Sequence, residues 1–367
     1  MVHEKLSRRV ALGLGATLMS TAASAQGGGP LAGGPLAGAG AGPFATQPWG
    51  PASRIEGHRY SVERVRFSSG GVHLIGNLFV PRGPGPFPAA AMLGPVAFVK
   101  EQAPTQYATR LAAAGIVALA FDPRNHGESD GTPRRHEDGA AKAADLRAAL
   151  DYLRTRPEVD ADRINILGIC QGVNWAVQAA IDMPTAARVA LVAGHYLTPA
   201  TALMYLGTPE RVAQRLARSA AAAERFRRDG TLDYIPIVQA RADTPDPDAL
   251  LTALPIQQFY IRWADRGPFR SYLGLWENRI TTMSEGGIWG HDISSVMPGI
   301  RQPLLMVHAD RAASGPAIPR ALLDSVPGDR KRLVMLDGRN QLQFYEDPMT
   351  IDLVAPLIVD HFAAGST

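Results

Sequence analysis

The segment RINILGICQGVNW, residues 163–175, constrains this chain most, because in it an apolar strand pattern passes into a helix pattern through two glycines. Gly168, Cys170 and Gly172 form a G-x-C-x-G turn. A strand that enters a helix through such a turn holds its central residue in a sharp, strained bend with the side chain available for reaction. The pattern therefore predicts that Cys170 is a nucleophile.

Cys170 is the only cysteine in the sequence. It has no partner within the chain for a disulfide. A lone cysteine is often a small buried hydrophobic residue instead. Its position at the centre of the turn favours the reactive role, so the proton acceptor for its thiol has to be found.

The first 53 residues predict export. Arg8 and Arg9 precede a short apolar stretch and an A-x-A site ending at Ala25, which predicts a twin-arginine (Tat-type) signal peptide over residues 1–25 and a periplasmic or secreted protein. The apolar stretch is too short for stable membrane insertion. Residues 26–53 are rich in Gly, Pro and Ala, which is typical of a flexible linker.

Composition and charge indicate which classes of binding partner to expect. Hydrophobic residues make up 46% of the chain and charged residues 19%, as in globular proteins, and the formal net charge is only +3. We expect no nucleic-acid partner, and a small-molecule substrate instead. No cofactor fingerprint and no set of metal ligands is recognisable, so neither a cofactor nor a metal is predicted. The oligomeric state is not indicated.

The periodicity from residue 54 onward predicts an α/β domain over residues 54–367. Residues 60–81 alternate as a β-hairpin with Gly70 and Gly71 at the turn. Apolar strands then alternate with helices, which predicts a mostly parallel sheet covered by helices. The predicted strands are Ala89–Leu93, Ile116–Phe121, Ile164–Leu167, Val189–Ala193, Leu304–Val307 and Arg332–Leu336.

A long insertion separates the last two predicted strands from the others. About a hundred residues follow Ala193, far more than an ordinary loop. Helical patterns occur at Pro209–Arg228, Ala249–Asp265 and Phe269–Met283. We predict a helical cap over residues 198–300, close to the carboxyl ends of the strands.

The segments LGPVAFVKEQ, FDPRNHGESDG and GICQG, in this order, resemble the α/β-hydrolase fold. Within it, the chain is similar to bacterial dienelactone-hydrolase-like and Xaa-Pro-peptidase-like proteins, from about Tyr60 to Phe362. The resemblance implies an oxyanion hole made by two backbone N–H groups, one of them from Gln171. Because Pro95 has no N–H, Val96 or else Ala97 supplies the second.

The same resemblance implies an acid after the penultimate strand and a histidine after the last. Asp310 is the candidate acid, although the usual position lies nearer Ala312. Gln341 stands where the histidine is expected. A glutamine amide does not accept a proton at neutral pH, so Gln341 is predicted to orient substrate or water.

Three explanations of the missing histidine stay open. His195 or His291 acts as the base; or the helix N-terminus lowers the pKa of Cys170 so that none is needed at first; or hydrolysis is lost. We predict a Cys170-dependent hydrolase of small esters, lactones or thioesters, with His195 as the favoured base. The alternative is a non-hydrolytic enzyme or a small-molecule-binding protein on the same fold.

Overall fold

A central sheet organises the computed structural model, which describes residues 54–252, 254–264 and 275–364. Within these residues the sheet has nine strands in the order β1-β2-β3-β5-β4-β6-β7-β10-β11. They are β1 (Arg54–Glu56), β2 (Tyr60–Ser69), β3 (Val72–Pro81), β4 (Phe87–Leu93), β5 (Val117–Phe121), β6 (Val159–Ile169), β7 (Val189–Val192), β10 (Leu304–Arg311) and β11 (Lys331–Asn340). A separate antiparallel pair is formed by β8 (Tyr234–Ile235) and β9 (Ile280–Thr281).

Helices cover this sheet. They are α1 (Ala103–Ala113), α2 (Gly139–Arg154), α3 (Gly172–Asp182), α4 (Pro199–Leu206), α5 (Pro209–Asp229), α6 (Leu254–Tyr260), α7 (Ser284–Trp289), α8 (Ala317–Ser325), α9 (Gln343–Glu346) and α10 (Pro348–Ala363). Helix α1 packs with α9 and α10, and α2 packs with α3. Among the described residues, no helix combines the length and the apolar composition needed to cross a bilayer.

The sheet confirms the predicted fold class. Strands β4 to β7, β10 and β11 pair in parallel with one another, whereas β5 pairs antiparallel with β3. Strands β2 and β3 form the predicted hairpin, in which Gly70 and Gly71 have φ values of 56° and 84°. All five residues of β5 are buried. Continuous apolar strands of this kind need cover on both faces, and that requirement made the parallel sheet predictable.

The insertion between β7 and β10 is not built only of helices. The helix predicted over Ala249–Asp265 is restricted to Leu254–Tyr260 and a short 3-10 turn, because Pro255 belongs in the first turn of a helix. The sequence predicts a helix over Phe269–Met283, but the described part of this segment contains strand β9 instead. There the β-branched pair Ile280 and Thr281 pairs with β8, and this pairing overrides the helical pattern.

The insertion contacts the loops that follow β4 and β5. The Tyr260 hydroxyl donates to the Val96 carbonyl at 2.9 Å, and the Trp276 indole donates to the Ala97 carbonyl at 2.9 Å. The Thr281 N–H donates to the Arg135 carbonyl at 3.0 Å. The insertion therefore reaches the edge of the sheet at which the parallel strands end. The predicted signal peptide and linker lie outside the described residues and stay predictions.

Close backbone approach explains the two glycines beside Cys170. A Cβ atom on Gly172 would lie 2.6 Å from the carbonyl oxygens of Leu93 and Gly94. A Cβ atom on Gly168 would lie 2.8 Å from the Cα of Val173. Both contacts are shorter than real Cβ contacts, so the helix can start this close to the end of β4 only with glycine at these positions.

We expect Gly172→Ala to lower the free energy of unfolding by about 2 kcal/mol or more, because backbone atoms cannot yield as side chains do. The matched control is Gly287→Ala in α7, where an added Cβ meets nothing within 4 Å. That change should be neutral or stabilise by up to about 1 kcal/mol. Urea unfolding midpoints at unchanged slope measure both. Equal midpoints for the two variants would contradict the packing explanation.

Candidate active site

Cys170 occupies the junction between β6 and α3 with a φ of 56°, a left-handed conformation that is strained for a residue with a side chain. Its side chain is buried, with 5% exposed. Burial raises the pKa of the thiol to about 11. Hydrogen bonds from the Tyr345 hydroxyl, the Gln171 N–H, the Gln341 amide and the Val96 N–H oppose this rise without cancelling it. Cys170 is therefore a thiol at neutral pH, opposite to the lowered pKa considered from the sequence.

The structure brings both predicted oxyanion-hole residues to the sulfur of Cys170. The backbone N–H groups of Gln171 and Val96 are hydrogen-bond donors to it. The N–H of Ala97 is not available for this purpose, because it donates to the Glu137 carboxylate at 2.7 Å. Of the two residues considered for the second donor, Val96 is thus the one that faces Cys170.

Buried groups fix the loop that carries Val96. Ala97 has a φ of 53°, and its carbonyl and that of Val96 accept the hydrogen bonds from Trp276 and Tyr260. Glu137 is 4% exposed and receives the Ala97 N–H. These contacts come from two different parts of the chain and hold one donor of the oxyanion hole in place.

Glu137 is held in its charged form. Burial opposes ionisation, but the charge of Lys142, 2.5 Å away, and the hydrogen bond with His126 outweigh it and hold the pKa of Glu137 well below its usual range. The Nε2 of His126 lies 3.2 Å from the same carboxylate. Sequence reasoning missed Glu137, because the charged segment RRHEDG is typical of an exposed loop.

Gln341 lies beside Cys170 and is hydrogen-bonded to Tyr345. Its Nε2 donates to the Ala193 carbonyl and to the Tyr345 hydroxyl, both at 2.7 Å, and its Oε1 accepts the Ala313 N–H at 2.8 Å. The donors and acceptors around it fix the orientation of the amide, whose NH2 group also faces the sulfur of Cys170. Burial holds the pKa of Tyr345 well above its usual range, so the protonated hydroxyl donates to Cys170.

His195 lines the same cavity as Cys170. It is 2% exposed, and burial lowers the pKa of its ring to about 4. Its Nε2 has no hydrogen-bond partner among the described residues. A neutral imidazole with a free nitrogen can accept a proton. His291 lies elsewhere: its ring packs on Trp175 at 4.6 Å between ring centroids, and it lines a different groove.

Asp310 is not part of the group around Cys170, contrary to the prediction. Its side chain is exposed, and its carboxylate accepts the N–H of Gly338 at 2.8 Å. The register of β10 against β11 shifts between Ala309 and Arg311, and Asp310 bridges the two strands at this irregularity. A relay acid has to be buried against its histidine, and Asp310 is not.

The cavity beside Cys170 is small. Its volume is about 10 Å³, and its lining includes Tyr205, Tyr260 and Tyr345. This is roughly the space of one water molecule, so a substrate has to displace residues of the insertion. Over residues 54–252, 254–264 and 275–364, no group of three or more His, Cys, Asp or Glu side chains is arranged to hold a metal ion.

Comparisons with known proteins agree with this geometry. The model of the dienelactone hydrolase family matches residues 76–205. The crystal structure of the hypothetical protein PA2218 from Pseudomonas aeruginosa superposes with a TM-score of 0.69 at 24% identity, over 83% of this chain and 95% of that one. The structural likeness shows the α/β-hydrolase fold, and residues 76–205 are similar to the dienelactone hydrolase family.

Curated sequences are similar to parts of this chain. The PA2218 protein is 38% identical over 37% of this chain and 38% of its own length, and thiohydrolase apmlB of Arthrinium phaeospermum is 36% identical over 32% and 38%. Polyketide transferase grgF of Penicillium sp. is 29% identical over 63% of this chain and 72% of its own. The match spans well under half the length of the first two relatives.

We expect Tyr345→Phe to slow alkylation of Cys170 by iodoacetamide about tenfold at pH 9, because the hydroxyl that stabilises the thiolate is lost. In the wild type the rate should rise with pH up to about 11, following the raised pKa of Cys170. Tyr205→Phe is the control, since it removes another hydroxyl from the same cavity. If the alkylation rates of Tyr345→Phe and the wild type depend on pH in the same way, the hydrogen bond from the Tyr345 hydroxyl to Cys170 is excluded.

Proposed function

We propose that this protein is a hydrolase that cleaves activated acyl compounds (small esters, lactones or thioesters) through Cys170. The observation that carries the proposal is the arrangement at the turn between β6 and α3, which we call the elbow. A strained cysteine at the N-terminus of α3 has two backbone N–H groups, those of Gln171 and Val96, directed at its sulfur. Such donors stabilise the negative charge that develops on a carbonyl oxygen during acyl transfer.

In the proposed first step, the Cys170 sulfur attacks the carbonyl carbon while His195 takes the thiol proton at Nε2. The pKa values of about 11 for Cys170 and about 4 for His195 describe a resting pair of thiol and neutral imidazole. The pair therefore becomes ionic only as the reaction proceeds. The oxyanion is held by the N–H groups of Gln171 and Val96, and the protonated His195 returns the proton to the leaving group.

In the second step, His195 activates a water molecule that hydrolyses the acyl-cysteine. The positions of Tyr345 and Gln341 support a role for Tyr345 at the sulfur: its hydroxyl donates to Cys170 and stabilises the thiolate as it leaves. Among the three substrate classes we favour thioesters, because three of the similar proteins carry the name thiohydrolase. A thiol leaving group also needs less help from an acid than an alcohol does.

The alternative is a non-hydrolytic enzyme or a binding protein. Two observations favour it: Gln341 holds the position of the usual histidine, and burial keeps the Cys170 thiol weakly acidic. Polyketide transferase grgF is similar over a larger part of this chain than the thiohydrolases are. In a transferase of this kind, a second nucleophile would take the place of water in the second step.

We expect Cys170→Ala to abolish turnover of the octanoyl thioester of N-acetylcysteamine, and His195→Gln to lower kcat by about 10²- to 10⁴-fold, as for loss of a general base. The matched control is His308→Gln. His308 is also fully buried, and burial lowers its pKa to about 4 too. Full turnover by folded Cys170→Ala would contradict the proposal. Full turnover by His195→Gln would place the base elsewhere.

A further inference from the structure

Among the described residues, four of the buried ring nitrogens without a hydrogen-bond partner belong to residues that lie in or near two neighbouring sets of ring contacts. They belong to His195, Trp289, His291 and Trp175. Trp175 is 6% exposed and Trp289 is 3% exposed. A buried polar group without a partner lowers the stability of the folded protein, so four in one region call for an explanation.

These rings belong to two sets of ring contacts that are joined by the short segment from Trp289 to His291. The ring of His195 lies 4.8 Å from that of Tyr205, and Tyr205 lies 6.0 Å from Trp289, between ring centroids. His291 follows Trp289 by two positions in the sequence, and its ring lies 4.6 Å from that of Trp175. We call this set of rings, from His195 through Tyr205, Trp289 and His291 to Trp175, the ring seam.

The two ends of the ring seam line two different cavities. At one end, His195 and Tyr205 line the cavity beside Cys170. At the other end, Trp175 and His291 line a groove of about 570 Å³ between α2, α3 and α7. This volume falls within the usual range for small-molecule sites. Gly287 lines the groove as well, and an added Cβ there would meet nothing within 4 Å.

The chemistry of the ring seam selects for hydrogen-bond acceptors without charge. An indole N–H only donates, so Trp289 and Trp175 need acceptor oxygens. At the groove, Arg147 and Asp182 form an ion pair, and the Gln178 amide also donates to the Asp182 carboxylate. These two charges are therefore already paired within the protein. A plain alkyl chain would leave the indole groups unpaired, whereas carbonyl or hydroxyl oxygens along a chain would pair them.

We propose that the ring seam binds the chain of an oxygenated acyl substrate, which extends from Cys170 toward the groove and places keto or hydroxyl oxygens on the indole groups of Trp289 and Trp175. The proposal rests on the proposed function, since it gives the substrate class of the same site. It predicts that oxygen atoms far from the reacting carbonyl improve binding.

The test compares three thioesters of N-acetylcysteamine, the octanoyl, 5-oxo-octanoyl and 7-oxo-octanoyl compounds, whose reacting carbonyls are alike. We expect the wild type to favour at least one oxo compound through a lower KM. Replacing the matching indole, in Trp289→Phe or Trp175→Phe, should reduce that preference about fivefold, the effect of one hydrogen bond. The control is Tyr196→Phe, which removes a buried hydroxyl that also lacks a partner but whose ring faces His308.

A binding experiment separates this proposal from the proposed function. Quenching of tryptophan fluorescence in Cys170→Ala measures the affinity for octanoic, 5-oxo-octanoic and 7-oxo-octanoic acids without turnover. Tighter binding of an oxo acid that is lost in an indole variant supports the ring seam, even if no thioester is hydrolysed. Equal affinities for all three acids, or a preference that survives in both indole variants, would overturn it, even if the octanoyl thioester is cleaved.

Discussion

The site depends on one close approach: Gly172, at the start of α3, lies against the carbonyl groups at the end of β4, where even a methyl group would collide. This contact brings the N-terminus of α3 beside the loop that carries Val96. The bend that it requires forces Cys170 into a left-handed conformation. Because the strained residue is held on a rigid sheet, its sulfur meets N–H groups from two separate segments, and that convergence makes acyl chemistry possible.

Burial then decides the electrostatics of the site. It raises the pKa of Cys170, lowers that of His195 and keeps Tyr345 protonated, so each group is neutral at rest. Glu137, by contrast, is held in its charged form by Lys142 and His126, and it acts on the loop of Val96 and Ala97 rather than on the sulfur. Cys170 and His195 are therefore uncharged before the reaction and become charged only as it proceeds.

Much of the fold could be predicted because it depends on local patterns. The hairpin required Gly70 and Gly71 at its turn, and the continuous apolar strands required a covered parallel sheet. The elbow with Cys170 could be recognised for the same reason. Strand β9 could not, because its pairing with β8 joins segments that are far apart in the sequence.

The candidate site was predictable only in part. His195 was found because it follows a strand next to the elbow strand, whereas Asp310 was misplaced because an irregular register turns it outward. Gln341 was recognised as a departure from the family pattern, but its partner Tyr345 was not, since a tyrosine near a helix has no distinctive pattern. The contact exists only after β7, β11 and α9 have packed together.

The most direct measurement of the central claim, that Cys170 attacks the acyl group, is the intact mass of the protein after acid quenching within the first turnover of an octanoyl thioester. The account predicts an added octanoyl group on the wild type that Cys170→Ala lacks and that peptide mapping places on residue 170. In His195→Gln the same adduct should form more slowly. Turnover by the wild type with no adduct at any quench time, or an adduct of equal amount on Cys170→Ala, would contradict the account.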